Sequence, residues 1–124
     1  MSEPQDGKLL SHEEKESFVK ILSTLAASDG ALNETEKEFL VSVALTKGID
    51  ENELNSILNS PEPLEISIPE DEEERIDQLA ALIGMMMIDG TIYDEEFQFI
   101  SMIAEKYGFN PEIVNDIIAD ILEQ

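Results

Sequence analysis

The stretch Leu25-Ala26-Ala27-Ser28-Asp29-Gly30-Ala31-Leu32-Asn33-Glu34-Thr35-Glu36 returns sixty positions later as Met85-Met86-Met87-Ile88-Asp89-Gly90-Thr91-Ile92-Tyr93-Asp94-Glu95-Glu96. Both copies carry an Asp-Gly pair, then an apolar residue, then carboxylates at two shared positions, Glu34 and Glu36 in the first and Asp94 and Glu96 in the second. The register holds downstream without a gap. Phe39 and Leu40 fall on Phe99 and Ile100, Gly48 on Gly108, Asp50 on Asn110, and Ile57 and Leu58 on Ile117 and Ile118. A repeat of this length identifies a duplicated unit, and the unit must be helical, because its apolar residues recur at i, i+3, i+4 and i+7.

Helix boundaries can be read outward from the repeat. Ser11 with Glu14 has the spacing of a capping box and opens a helix whose face is Phe18, Ile21, Leu22 and Leu25, running to Gly30. Asn33 with Glu36 opens a second, with Phe39, Leu40, Val43 and Ala44 and an end at Gly48. Asp50 with Glu53 opens a short third, carrying Leu54, Ile57 and Leu58 and stopped by Ser60-Pro61-Glu62-Pro63. The second half predicts a fourth helix with Ile76, Leu79, Ala80, Ile83 and Met86 or Met87, ending at Gly90. A fifth carries Phe99, Ile100, Ile103, Ala104 and Tyr107 before Gly108. A sixth is opened by Asn110-Pro111, with Ile113, Val114, Ile117, Ile118 and Ile121. The alternating run Leu64 to Pro69 has no second strand to pair with and is expected to be an extended linker. The prediction is an all-α, single-domain bundle of about six helices made of two pseudo-symmetric three-helix halves, 11–60 and 70–123, joined by 61–69 and preceded by a flexible N-terminus, 1–10.

The charge is one-sided: seven Lys and Arg against 29 Asp and Glu, net −22. Such a field repels phosphate backbones and anionic lipid, which argues against nucleic acid and the membrane surface, and it attracts cations and basic protein surfaces. The 42% hydrophobic content is that of a folded chain, so the acidity belongs to a folded surface. The absence of cysteine removes thiolate chemistry and fits a reducing compartment. With no basic, apolar leader at Met1 to Leu10 and no long apolar run, the expected location is cytoplasmic, without membrane insertion.

The duplicated polar string is the candidate site. Asp-Gly-x-[Leu/Ile]-x-x-x-Glu has the spacing of the second half of an EF-hand loop, but the positions that would supply the first oxygen ligands are Leu25 and Ala27 in one copy and Met85 and Met87 in the other. An ordinary EF-hand is rejected. What remains is an aspartate near the end of one helix and a glutamate in the first turn of the next. Glu36 and Glu96 at the third helical position serve as caps. Asp29 and Asp89 face the helix dipole the wrong way and need compensation, by the backbone of the turn, by a cation or by a basic partner. Two carboxylates about 6 Å apart repel by roughly 3 kcal/mol at an effective dielectric of 20.

These two strings resemble the paired motif of the TerB-like, tellurite-resistance-associated helical domain, and the likeness extends from about Ser11 to Leu122. The resemblance implies an all-helical, cytoplasmic bacterial stress-response domain that binds a divalent metal through acidic residues. Carried over, the metal set is Asp29 and Glu36, Asp89 and Glu96, with Glu34 and Asp94 as outer members. Thr91 and Tyr93 depart from the first copy. Oxygen donors of this kind suit calcium, magnesium or manganese.

Other features are structural in expectation. His12, the only histidine, sits in a first helical turn, where a solvated or capping role is expected. Met85 to Met87 read as core filler or a partner groove, Glu70 to Glu74 as a solvated helix start, and Phe97 as an exposed anchor or a residue packed on the linker. No catalytic constellation is evident, so the expected function is non-enzymatic: a divalent-cation site at the Asp-Gly turns, or alternatively an acidic protein-interaction module without metal.

Overall fold

In the computed structural model, residues 11–26, 33–59, 65–88 and 92–123 are described. These residues form six α-helices and no strand: α1 (His12–Ala26), α2 (Glu34–Thr46), α3 (Glu51–Leu58), α4 (Glu72–Met87), α5 (Asp94–Lys106) and α6 (Ile113–Leu122). The all-α expectation is met. The segment 1–10, the Ser60–Pro63 stop and both Asp-Gly turns lie outside the described residues.

The starts follow the sequence signals closely in the first half. Ser11 Oγ accepts from Glu14 N at 3.1 Å while Ser11 N donates to the Glu14 carboxylate at 2.9 Å. Asp50 accepts from Glu53 N at 2.8 Å. In the second half they do so only in part. Asn110 accepts from Glu112 N at 2.9 Å, but the residues after it make a tighter turn, and α6 begins at Ile113. α4 is helical to Met87, short of Gly90.

The ends of α2 and α5 use one device. Gly48 (φ 80°) and Gly108 (φ 91°) are the positive-φ glycines among the described residues. Ile49 N reaches back to Ala44 O and Phe109 N to Ala104 O, both at 2.9 Å, closing a Schellman turn that satisfies the last carbonyls. A side chain at that φ would be strained, which is why glycine recurs.

The core lies along the contact of α1 with α4. Phe18, Ile21, Leu22 and Leu25 meet Leu79, Leu82, Ile83 and Met86, all buried. α2 and α3 pack on α1, and α5 and α6 pack on α4. α2 also reaches α4. A Cβ added at Gly84 would come within 3.0 Å of Phe39 Cζ, so the missing side chain lets the ring lie on the helix. Sixty positions earlier stands Thr24, which is exposed. Residues Glu65 to Pro69 run without regular structure, as expected of a linker, and Ser67 N is held by the buried Ser17 Oγ at 2.9 Å.

Several single-residue expectations change. Ile76 is exposed rather than in the core, and Leu82 takes a core place instead. Met85 and Met86 are buried filler. Phe97 is no exposed anchor: it is half-buried against the core. Glu72 and Glu73 are solvated, but Glu74 turns inward.

Candidate functional site

Of the six carboxylates expected to form the site, four can be placed. Glu36 and Glu96 are buried, with 4% and 8% of their surface exposed, each in the first turn of its helix. Glu34 and Asp94 open α2 and α5 and are exposed. Asp29 and Asp89 lie outside the described residues.

Glu36 is committed to its own helix. Its Oε1 accepts from Asn33 N at 3.1 Å and its N–H donates to Asn33 Oδ1 at 2.8 Å, a complete capping box favoured further by the helix dipole. Glu96 cannot copy this, because position 93 is a tyrosine whose side chain makes no cap bond. Among the described residues no three His, Cys, Asp or Glu side chains come together in a way that could hold a metal ion. The described members of the expected set therefore do not fit a metal centre by themselves. His12 is largely solvated, its Nδ1 4.0 Å from Glu53.

Three of the basic side chains, Lys15, Lys47 and Arg75, are turned toward the protein itself, while Lys37 and Lys106 are exposed. Lys47, at the C-cap of α2, lies 3.1 Å from Glu74, contacts Asp77, and sits 5.8 Å from the Phe18 ring centroid. Its side chain is only 7% exposed and that of Glu74 only 12%. Arg75 donates from Nη1 to the Tyr107 carbonyl at 2.8 Å and lies over Phe109. Lys15 is 3.7 Å from Glu53. Glu74 also accepts from Gln78 Nε2 at 2.9 Å, and Gln78 Oε1 accepts the Tyr107 hydroxyl at 2.6 Å. Burial drives the Tyr107 phenol far above its ordinary range, and the charges of Glu74 and Glu14 push it further the same way. A connected polar chain, Lys47–Glu74–Gln78–Tyr107, thus runs through the bundle. Periodicity could not have found it, since its members stand on three helices.

A second feature escaped the sequence. Between α2 and α3 lies an open groove of about 650 Å³, whose apolar lining is Leu40, Val41, Leu54 and Leu58. Its rim carries Glu34, Glu38 and Glu51, with Lys37 as the one cation. Both helices contribute a stripe at i, i+3, i+4 and i+7, namely 34, 37, 38 and 41 from α2 and 51, 54, 55 and 58 from α3. The signal present in the sequence was Val41, an apolar residue in line with the charged stripe rather than with Leu40 and Ala44.

Comparison with family models, with curated proteins and with solved structures gave no match. The functional reading therefore rests on these residues, and the TerB-like likeness remains a resemblance.

Proposed function

We propose that this chain is a non-enzymatic, acidic protein-interaction domain whose partner presents a basic surface. The observation that carries the reading is the use of the cations: Lys47, Arg75 and Lys15 serve internal contacts, so they do little to neutralise the acidic exterior. With a net charge of −22, that exterior steers basic partners toward the protein and rejects acidic ones. A cytoplasmic stress-response setting of the TerB-like kind belongs to the same proposal. Among the described residues no helix is long and apolar enough to cross a membrane, which accords with it.

The test is a fluorescence anisotropy titration with a labelled amphipathic helical peptide carrying Lys and Arg on its polar face. Saturable binding that weakens with salt, and that vanishes for the same peptide with Glu in place of its basic residues, is expected. Absence of binding, or equal binding of both peptides, overturns the reading. Adding calcium, magnesium or manganese in the same cell at constant ionic strength tests the cation alternative. A saturable, ion-specific effect abolished by Asp29→Asn with Asp89→Asn would transfer the function to the Asp-Gly turns.

A further inference from the structure

We infer that the groove between α2 and α3 is the docking site, and that its occupant is a basic, amphipathic helical segment of a protein partner that inserts apolar side chains between Glu34, Glu38 and Glu51. The inference rests on the interaction reading above and gives it a place. Leu40 and Leu54 are buried at the floor, Val41 and Leu58 are half-buried, and the three rim glutamates are exposed. An apolar floor within an acidic rim is complementary to an apolar stripe flanked by Lys or Arg.

Length and charge select the occupant. At 1.5 Å per residue the lining of α2 from Glu34 to Ser42 spans about 12 Å, room for roughly two turns of a partner helix and hence for apolar residues at i, i+3 or i+4, and i+7. A second copy of this chain would bring an equally acidic surface against the rim. A purely apolar ligand would leave the glutamates unanswered.

The acidic rim is a property of the first half alone. Sixty positions on from Glu34, Glu38 and Glu51 stand Asp94, Gln98 and Pro111, one acid in place of three. Phe97, half-buried, stands where Lys37 does. The repeat thus shares its scaffold and differs at the surface that would meet a partner. A difference of this kind is expected where one copy binds and the other supports the bundle.

The experiment compares affinities for the labelled basic peptide in the full chain and three variants, each checked by circular dichroism for retained helix. Ser42→Trp places a bulky ring at an exposed lining position. Glu38→Lys with Glu51→Lys inverts the rim, and Asp116→Lys with Glu123→Lys makes the same charge change on exposed sites of α6 and its C-cap. Both groove variants are expected to weaken binding by about tenfold or more and the α6 variant by about twofold, since a distant exposed charge contributes only steering. Equal weakening by the two charge variants, or unchanged binding in Ser42→Trp, overturns the groove while leaving the interaction reading intact. Failure of the wild-type chain to bind removes both.

Discussion

Lys47 and Tyr107 occupy corresponding places, each the C-cap of its helix and each followed by a positive-φ glycine that closes the same turn. Their side chains solve the same problem in opposite ways. Lys47 enters the bundle as a charge, matched by Glu74 and lying near Phe18. Tyr107 enters as a neutral phenol bonded to Gln78, while Arg75 holds its carbonyl from outside. Gln78 itself stands sixty positions after Phe18. An aromatic ring beneath a cation in one half is answered by an amide beneath a phenol in the other. The shared C-cap turn therefore sets where each side chain enters, while the polar partners differ between the two places. The two solutions meet at Glu74, which accepts from both Lys47 and Gln78.

Removing the charged member should have the largest effect. Lys47→Met keeps the stem against Phe18 but leaves Glu74 nearly buried without its cation, and losing one partner of a buried pair costs about 3 kcal/mol. Asp77, 65% exposed, contributes little to that figure. The expected result is a fall in the thermal midpoint on the order of 10 °C. Adding Glu74→Gln to the same chain should recover part of the loss, because the uncompensated charge goes with it. Full additivity of the two substitutions would show that the pair is not coupled.

The neutral member should matter less, and should show itself in the pH profile. Tyr107→Phe removes the hydroxyl and leaves Gln78 Oε1 buried without that donor, at a cost of about 1 to 2 kcal/mol. The folded-state phenol titrates above its unfolded value, so its contribution is fully present below about pH 10 and is lost as the pH rises further. Denaturant midpoints followed into the alkaline range should decline for the wild-type chain from that point. Over the same range Tyr107→Phe should decline less steeply. Parallel profiles would mean that the hydroxyl is not held as the structure places it.

The scaffold was legible in the sequence because its signals are local. Ser11, Asn33 and Asp50 each announce a cap three residues before a glutamate, and Gly48 and Gly108 announce an end. The apolar stripes of α1, α2 and α3 fell where periodicity placed them. Where local signals were weaker, tertiary packing decided. Ile76 fits the stripe of α4 but is exposed, and Leu82 lies in the core. Glu74 belongs to an acidic run that reads as solvated, yet Lys47, distant in sequence, draws it in. The candidate site was legible only as a motif. Glu36 is used by its own helix, and the groove arises where two stripes from different helices face each other, which no single-helix pattern can show.

The smallest expected effect separates the starts of α2 and α5, whose N-cap residues are Asn33 and Tyr93. Asn33 completes a capping box with Glu36, so Asn33→Ala should cost about 1 kcal/mol by losing the bond its Oδ1 accepts from Glu36 N, while the backbone N–H of residue 33 can still donate to the Glu36 carboxylate. Tyr93 provides no side-chain cap and is 45% exposed, so replacing it removes little packing. Tyr93→Asn should restore the box with Glu96 and stabilise the chain by about 0.5 kcal/mol, somewhat below the first effect because Glu96 must give up its present surroundings to reach back. Chemical denaturation of both variants and of the double substitution measures the difference directly. If Tyr93→Asn proves neutral or destabilising while Asn33→Ala costs what is expected, then the buried Glu96 is held in place by contacts other than its own helix start. The two turns would then be distinct in purpose as well as in sequence.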